Sequence, residues 1–90
     1  MSQELTLNKP ITAHGETLHV LEFTAPTGRD VRETGYPYQM NDDGSVKLLS
    51  HVVAKYIVRL CGIPLSSVDD MHPVDLNAAG WVVAGFFLQA

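Results

Sequence analysis

The chain lacks most of the features that announce a function. Its 90 residues contain one cysteine, Cys61, so no disulfide can form within the chain and a reducing compartment is the expectation. Cations are scarce: six Lys and Arg against ten Asp and Glu leave a net charge of −4. With no surplus of positive charge to displace counterions from phosphates, no nucleic-acid partner is expected. An anionic membrane surface is disfavoured for the same reason. The polar opening Met1-Ser2-Gln3-Glu4 has neither a basic nor an apolar stretch, so no signal peptide is read there. No hydrophobic run reaches bilayer length: the uncharged segment from Leu76 to Leu88 falls short of the roughly 20 residues that cross a membrane, and no Lys or Arg flanks it. There is no glycine-rich phosphate loop, repeat or low-complexity tract, and no linker that would divide the chain in two.

What is present describes a small α+β domain. Hydrophobic residues make up 46% of the chain, enough for a core of modest size. Leu5 to Ala25 contains two extended runs about His14-Gly15 and reads as a β-hairpin. In its second run Leu21 and Phe23 share one face while Leu18 and Val20 share the other, so one side packs on the domain and the other meets something else. Thr27 and Asp30 have capping-box spacing and open a short helix over 27–34, which Gly35 stops. Residues 36–44, Tyr-Pro-Tyr-Gln-Met-Asn-Asp-Asp-Gly, read as a loop. Ser45 is expected to cap a helix over 45–61, with Val46, Leu49, Val53, Ile57 and Leu60 facing the core and Lys47, His51, Lys55 and Arg59 forming a basic outer stripe. Gly62 and Pro64 end it. A connector with about one helical turn leads to Pro73, which suits the first turn of a last helix over 73–88, with Asp75 near the positive end of its dipole.

Catalytic chemistry finds little support. His14, His19, His51 and His72 are scattered, and Cys61 has no neighbouring Cys or His, so neither a metal nor any other cofactor is expected. Asn41-Asp42-Asp43-Gly44 lacks the acidic first and twelfth positions of a calcium loop and reads as a polar turn. Ser50 and His51 are adjacent and would point about 100° apart on a helix. Cys61 reads as a small packed hydrophobe. The chain is therefore read as not an enzyme.

The last helix is the distinctive feature. Trp81, Val82, Val83, Phe86, Phe87 and Leu88 project around nearly its whole circumference, and a helix apolar all round has to be covered all round. Two arrangements satisfy that rule. Either the helix is central in the monomer, or one side faces a second chain, with Trp81, Val82, Phe86 and Phe87 as the partner-binding residues.

Several stretches together resemble a known family. Leu5-Thr6-Leu7, Lys9-Pro10-Ile11, Gly15-Glu16, Leu18 and the run from Leu21 to Arg32 are similar to the N-terminal half of the tail assembly chaperones of contractile-tailed phages and Mu-like prophages. Leu60-Cys61-Gly62-Ile63-Pro64 looks like that family's Leu-Thr-Gly-Leu-Pro, and Val68, Met71, Asp75 and Leu76 match the positions that follow. Cys61 in place of Thr, the Tyr36-Pro37-Tyr38 loop and the aromatic last helix depart from the pattern. The resemblance implies a non-enzymatic, self-associating protein of the bacterial host cytoplasm. Its partners would be the tape measure protein, which it keeps soluble, and the tail tube protein, to which it yields as the tail polymerises. A permanent subunit of the tail or baseplate is the alternative.

Overall fold

His14 and Gly15 turn the chain back on itself with φ of 52° and 77°. Both central residues of a two-residue hairpin turn that matches strand twist need positive φ. Glycine adopts it freely and histidine does not. Here His14 is held by its ring, whose Nε2 lies 3.0 Å from the carbonyl oxygen of Gly62. The turn joins β1 (Ser2–Ala13) to β2 (Glu16–Thr24) as an antiparallel hairpin. In the computed structural model, which describes residues 2–88, the domain is α+β: this hairpin, a short helix, a second small sheet and three further helices.

The order after the hairpin is α1 (Gly28–Thr34), β3 (Tyr38–Met40), β4 (Val46–Leu48), α2 (Ser50–Cys61), α3 (Leu65–Asp69) and α4 (Pro73–Gly85). Thr27 caps α1 reciprocally: its Oγ1 accepts from the Asp30 amide while its own amide donates to Asp30 Oδ2. Two boundaries differ from the sequence expectation. The helix expected over 45–61 starts at Ser50, because Val46-Lys47-Leu48 pairs with Tyr38-Gln39-Met40 across a turn closed by Gly44 at φ 87°. Ser45 caps no helix; its amide and hydroxyl donate to Asp43 Oδ1 inside that turn. The helix expected over 73–88 ends at Gly85, and Phe86 to Leu88 follow as a further turn, with the Leu88 amide on the Ala84 carbonyl.

The hairpin lies across α2 and α4, and the core fills the space between. Leu21 and Phe23 from β2 meet Val53, Tyr56, Ile57 and Leu60 from α2, and Ala79 and Val83 from α4. Phe23, Tyr56, Ile57 and Val83 are wholly buried. Leu49, expected in the core, caps α2 through its carbonyl and is half-buried against that cluster. Gly80 allows α4 to close on β4, since a Cβ there would stand 2.9 Å from Leu48 Cδ1.

Between Thr6 and Ile11 the β1–β2 register shifts, and β1 bulges. A bulge leaves strand amides without ladder partners. Asp75 collects them. Its carboxylate accepts from the Asn8 amide at 2.9 and 3.0 Å, the Lys9 amide at 3.0 Å and Asn8 Nδ2 at 2.9 Å. The residue is 1% exposed. These bonds, led by the one from the Asn8 backbone, hold its carboxyl below the usual carboxylate range. Because the folded-state pKa lies below the unfolded one, the stabilisation is complete above about pH 4 and is lost as the pH falls through the lowered value. Asp75→Asn is expected to lower the melting temperature at neutral pH by on the order of 5 °C or more. It should also flatten the loss of stability below about pH 4. Thermal denaturation followed by circular dichroism from neutral to acid pH reads both effects.

Candidate functional site

α4 places its residues by the geometry of a single helix. Asp75, Ala79 and Val83 recur every fourth position and are buried under the hairpin and α2. Trp81 is six residues past Asp75, which at about 100° per residue sets it some 120° around the axis and out of the core. It is 47% exposed. Beside it a shallow groove of about 250 Å³ is lined by Gln3, Trp81, Val82, Gly85 and Phe86.

The four aromatic and aliphatic residues expected at a partner surface therefore stand differently. Trp81 is open to solvent, and Val82 and Phe86 are half-buried on the groove wall. Phe87 is half-buried too, and its ring completes an aromatic cluster on the other side. Its ring meets Tyr36 and Tyr38 edge-on at centroid distances of 6.0 Å, and Tyr56 at 5.7 Å. Edge-to-face pairs of this kind contribute roughly 0.5–1.5 kcal/mol each beyond area burial. Two further large apolar residues are exposed: Val74, 56% exposed, which the sequence reading did not name, and Leu88, 42% exposed, which it counted among the apolar residues of the last helix. Their spacing, Val74, Ala78, Trp81, Gly85 and Leu88, alternates four and three. That signal was present in the sequence but hidden by the apolar residues on every other side of the helix.

The expected basic stripe is divided. Lys47 sits in β4, and Arg59 is drawn into an ion-pair network with α1: Nε lies 3.0 Å from Asp30 Oδ1, and one terminal nitrogen 2.8 Å from Glu33 Oε1. Asp30 thus both caps α1 and docks it on α2. Its carboxyl is held low, chiefly by the Thr27 backbone bond. His51 and Lys55 remain exposed. Burial pushes the Cys61 thiol up to about 12, so it stays protonated at neutral pH and is a poor nucleophile. Among the described residues no group of three His, Cys, Asp or Glu side chains could hold a metal ion, and no helix is long and apolar enough to cross a membrane.

Fold and surface define a small α+β domain that leaves Val74 and Trp81 of its last helix among its exposed large apolar residues. The model of the family described as phage tail assembly chaperone proteins, E, or 41 or 14, matches residues 4–88, and the chain belongs to that family. Its role is in phage tail assembly, with protein partners in the tail. Comparison with curated proteins and with solved structures returns no match. Lys9-Pro10-Ile11 and Asp75, two of the stretches that carried the resemblance, meet in the structure: the bulge of β1 is the surface that the Asp75 carboxylate binds.

The exposure of Trp81 has a direct readout, since it is the chain's one tryptophan. In dilute solution its fluorescence should be red-shifted and readily quenched by acrylamide. A blue emission resistant to quencher would place the indole inside the domain.

Proposed function

We propose that this chain binds the tape measure protein during tail morphogenesis and keeps it soluble, using the outer face of α4. The observation that carries the reading is Trp81, nearly half exposed at the middle of a helix that bears no charged side chain from Leu76 to Leu88. Such a face costs free energy in water and is relieved by an apolar partner surface. A client built of amphipathic helices offers one, in the manner of a helix laid along a hydrophobic groove. Val82 and Phe86 line that groove, and Phe87 braces it from within through its three tyrosines. The acidic remainder of the domain keeps the complex in solution in the bacterial cytoplasm. The tail tube protein displaces the chaperone as it polymerises on the ruler, and the free chaperone associates with itself.

The role is assembly rather than catalysis. Co-expression of the tape measure protein with the tagged wild-type chain is expected to bring the tape measure protein into the soluble fraction and retain it on the tag. Trp81→Ala should reduce retention by roughly tenfold, the loss expected of a central aromatic anchor, while circular dichroism shows an intact fold. Equal retention by wild type and variant would remove α4 from the interface. Stoichiometric presence of the chain in purified tails would mark a permanent subunit instead.

A further inference from the structure

We propose that the outer side of α2, between α1 and the start of α3, docks an acidic amphipathic helix of a tail protein. This surface shares no residue with the outer face of α4. A groove of about 320 Å³ lies there, lined by Glu33 and Thr34 of α1, Lys55, Val58 and Arg59 of α2, and Leu65 of α3. Leu65 opens its helix and is 53% exposed, and Val58 is half-buried. Together they give the groove its apolar ground.

Charge decides the partner. The chain is acidic as a whole, yet α2 carries Lys55 and Arg59 and no Asp or Glu. With Arg29 and Arg32 of α1, this surface holds four cations against two carboxylates, Asp30 and Glu33, while the rest of the chain holds two against eight. Both of those carboxylates are already engaged. Glu33 meets three guanidinium groups, of Arg59 at 2.8 Å, Arg29 at 3.5 Å and Arg32 at 3.8 Å. Asp30 accepts from the Thr27 amide and pairs with Arg59. Arg59 is in turn fixed by a third bond, from its other terminal nitrogen to the Thr34 hydroxyl. Lys55 is exposed and makes no ion pair among the described residues. The unmatched charge at the groove is therefore positive, and an approaching carboxylate is attracted to it. Lys55 and Val58 are three residues apart, neighbours on one helix face. The complement is a helix that sets a leucine-sized side chain over Val58 and Leu65 and, three or four residues away, a carboxylate at Lys55. Because the family's partners are proteins of the tail, the occupant is a protein segment and not a free fatty acid.

A synthetic helical peptide tests the chemistry and the place. It carries leucines along one side with glutamates three and four residues from them, and its twin has glutamine at every glutamate. Each is titrated into the isotope-labelled full chain and followed by amide NMR shifts. The acidic peptide is expected to move the signals of Glu33, Thr34, Lys55, Val58 and Leu65, and to bind roughly tenfold tighter than its twin. Its binding should weaken by roughly fivefold as salt is raised to about 0.5 M. Lys55→Glu should weaken it by roughly tenfold and Leu65→Gln by roughly fivefold. Both positions are exposed, and circular dichroism checks that each variant keeps the fold. Trp81→Ala should leave this binding unchanged, which separates the surface from the α4 face. Equal binding of the twin, shifts centred on Trp81 and Phe86, or no shift at millimolar peptide would each overturn the proposal. Shifts at the groove with decanoate and none with the acidic peptide would overturn the protein partner.

Discussion

Asp75 is a carboxylate almost wholly removed from water, and a charge in that position is tolerated only when hydrogen bonds replace its hydration. Here they come from Asn8 and Lys9, at the opposite end of the chain. The arrangement satisfies two needs together. The bulge in β1 leaves amides that the hairpin ladder cannot use, and the first turn of α4 presents a negative group where the helix dipole favours one. The outcome is a fixed rotation of α4 about its axis. With Asp75 turned to the bulge, Ala79 and Val83 must enter the core, and Trp81 must leave it.

The remaining contacts support that setting. Ser67 donates to the Thr12 carbonyl, Thr24 to the Leu60 carbonyl, and His14 reaches Gly62, so the hairpin is tied to the helical layer near its tip and along its length. At the far end Phe87 is gripped by Tyr36, Tyr38 and Tyr56, and Tyr56 in turn donates to the Gly35 carbonyl. The helix is thus anchored at both ends by residues from other elements. Its outer face, with Val74 and Trp81, is left uncovered by the rest of the domain. Membership of the tail assembly chaperones gives the fold a biological setting, and beyond Asp75 in its first turn α4 carries no charged side chain.

Much of this was legible in the sequence, and the exceptions have physical causes. His14-Gly15, the Thr27–Asp30 box and the Gly62–Pro64 stop are local signals, and each acts within a few residues of where it is written. The resemblance to the tail assembly chaperones was likewise carried by short ordered stretches. Val46 to Leu48 was misread because Val46, Leu49 and Val53 also fit a helical period. A three-residue strand offers a single alternation, and only its pairing with Tyr38 to Met40 settles the matter. Asp75 was placed correctly at a helix start, but its partners lie 66 and 67 residues away and no local pattern announces them. The contacts of Phe87 are with three tyrosines from other parts of the chain, so a helix apolar on every side gave no indication of which residues would be left outside.

Asp75 locks the β1 bulge and thereby sets the rotation of α4. Amide hydrogen exchange at Asn8 and Lys9 tests it most directly. Both amides lie at an exposed bulge, and both are expected to exchange as slowly as those of the paired hairpin at neutral pH and to lose that protection selectively as Asp75 is protonated. Exchange at these two sites at the rate of an unstructured chain, with the rest of the hairpin protected, would contradict the account.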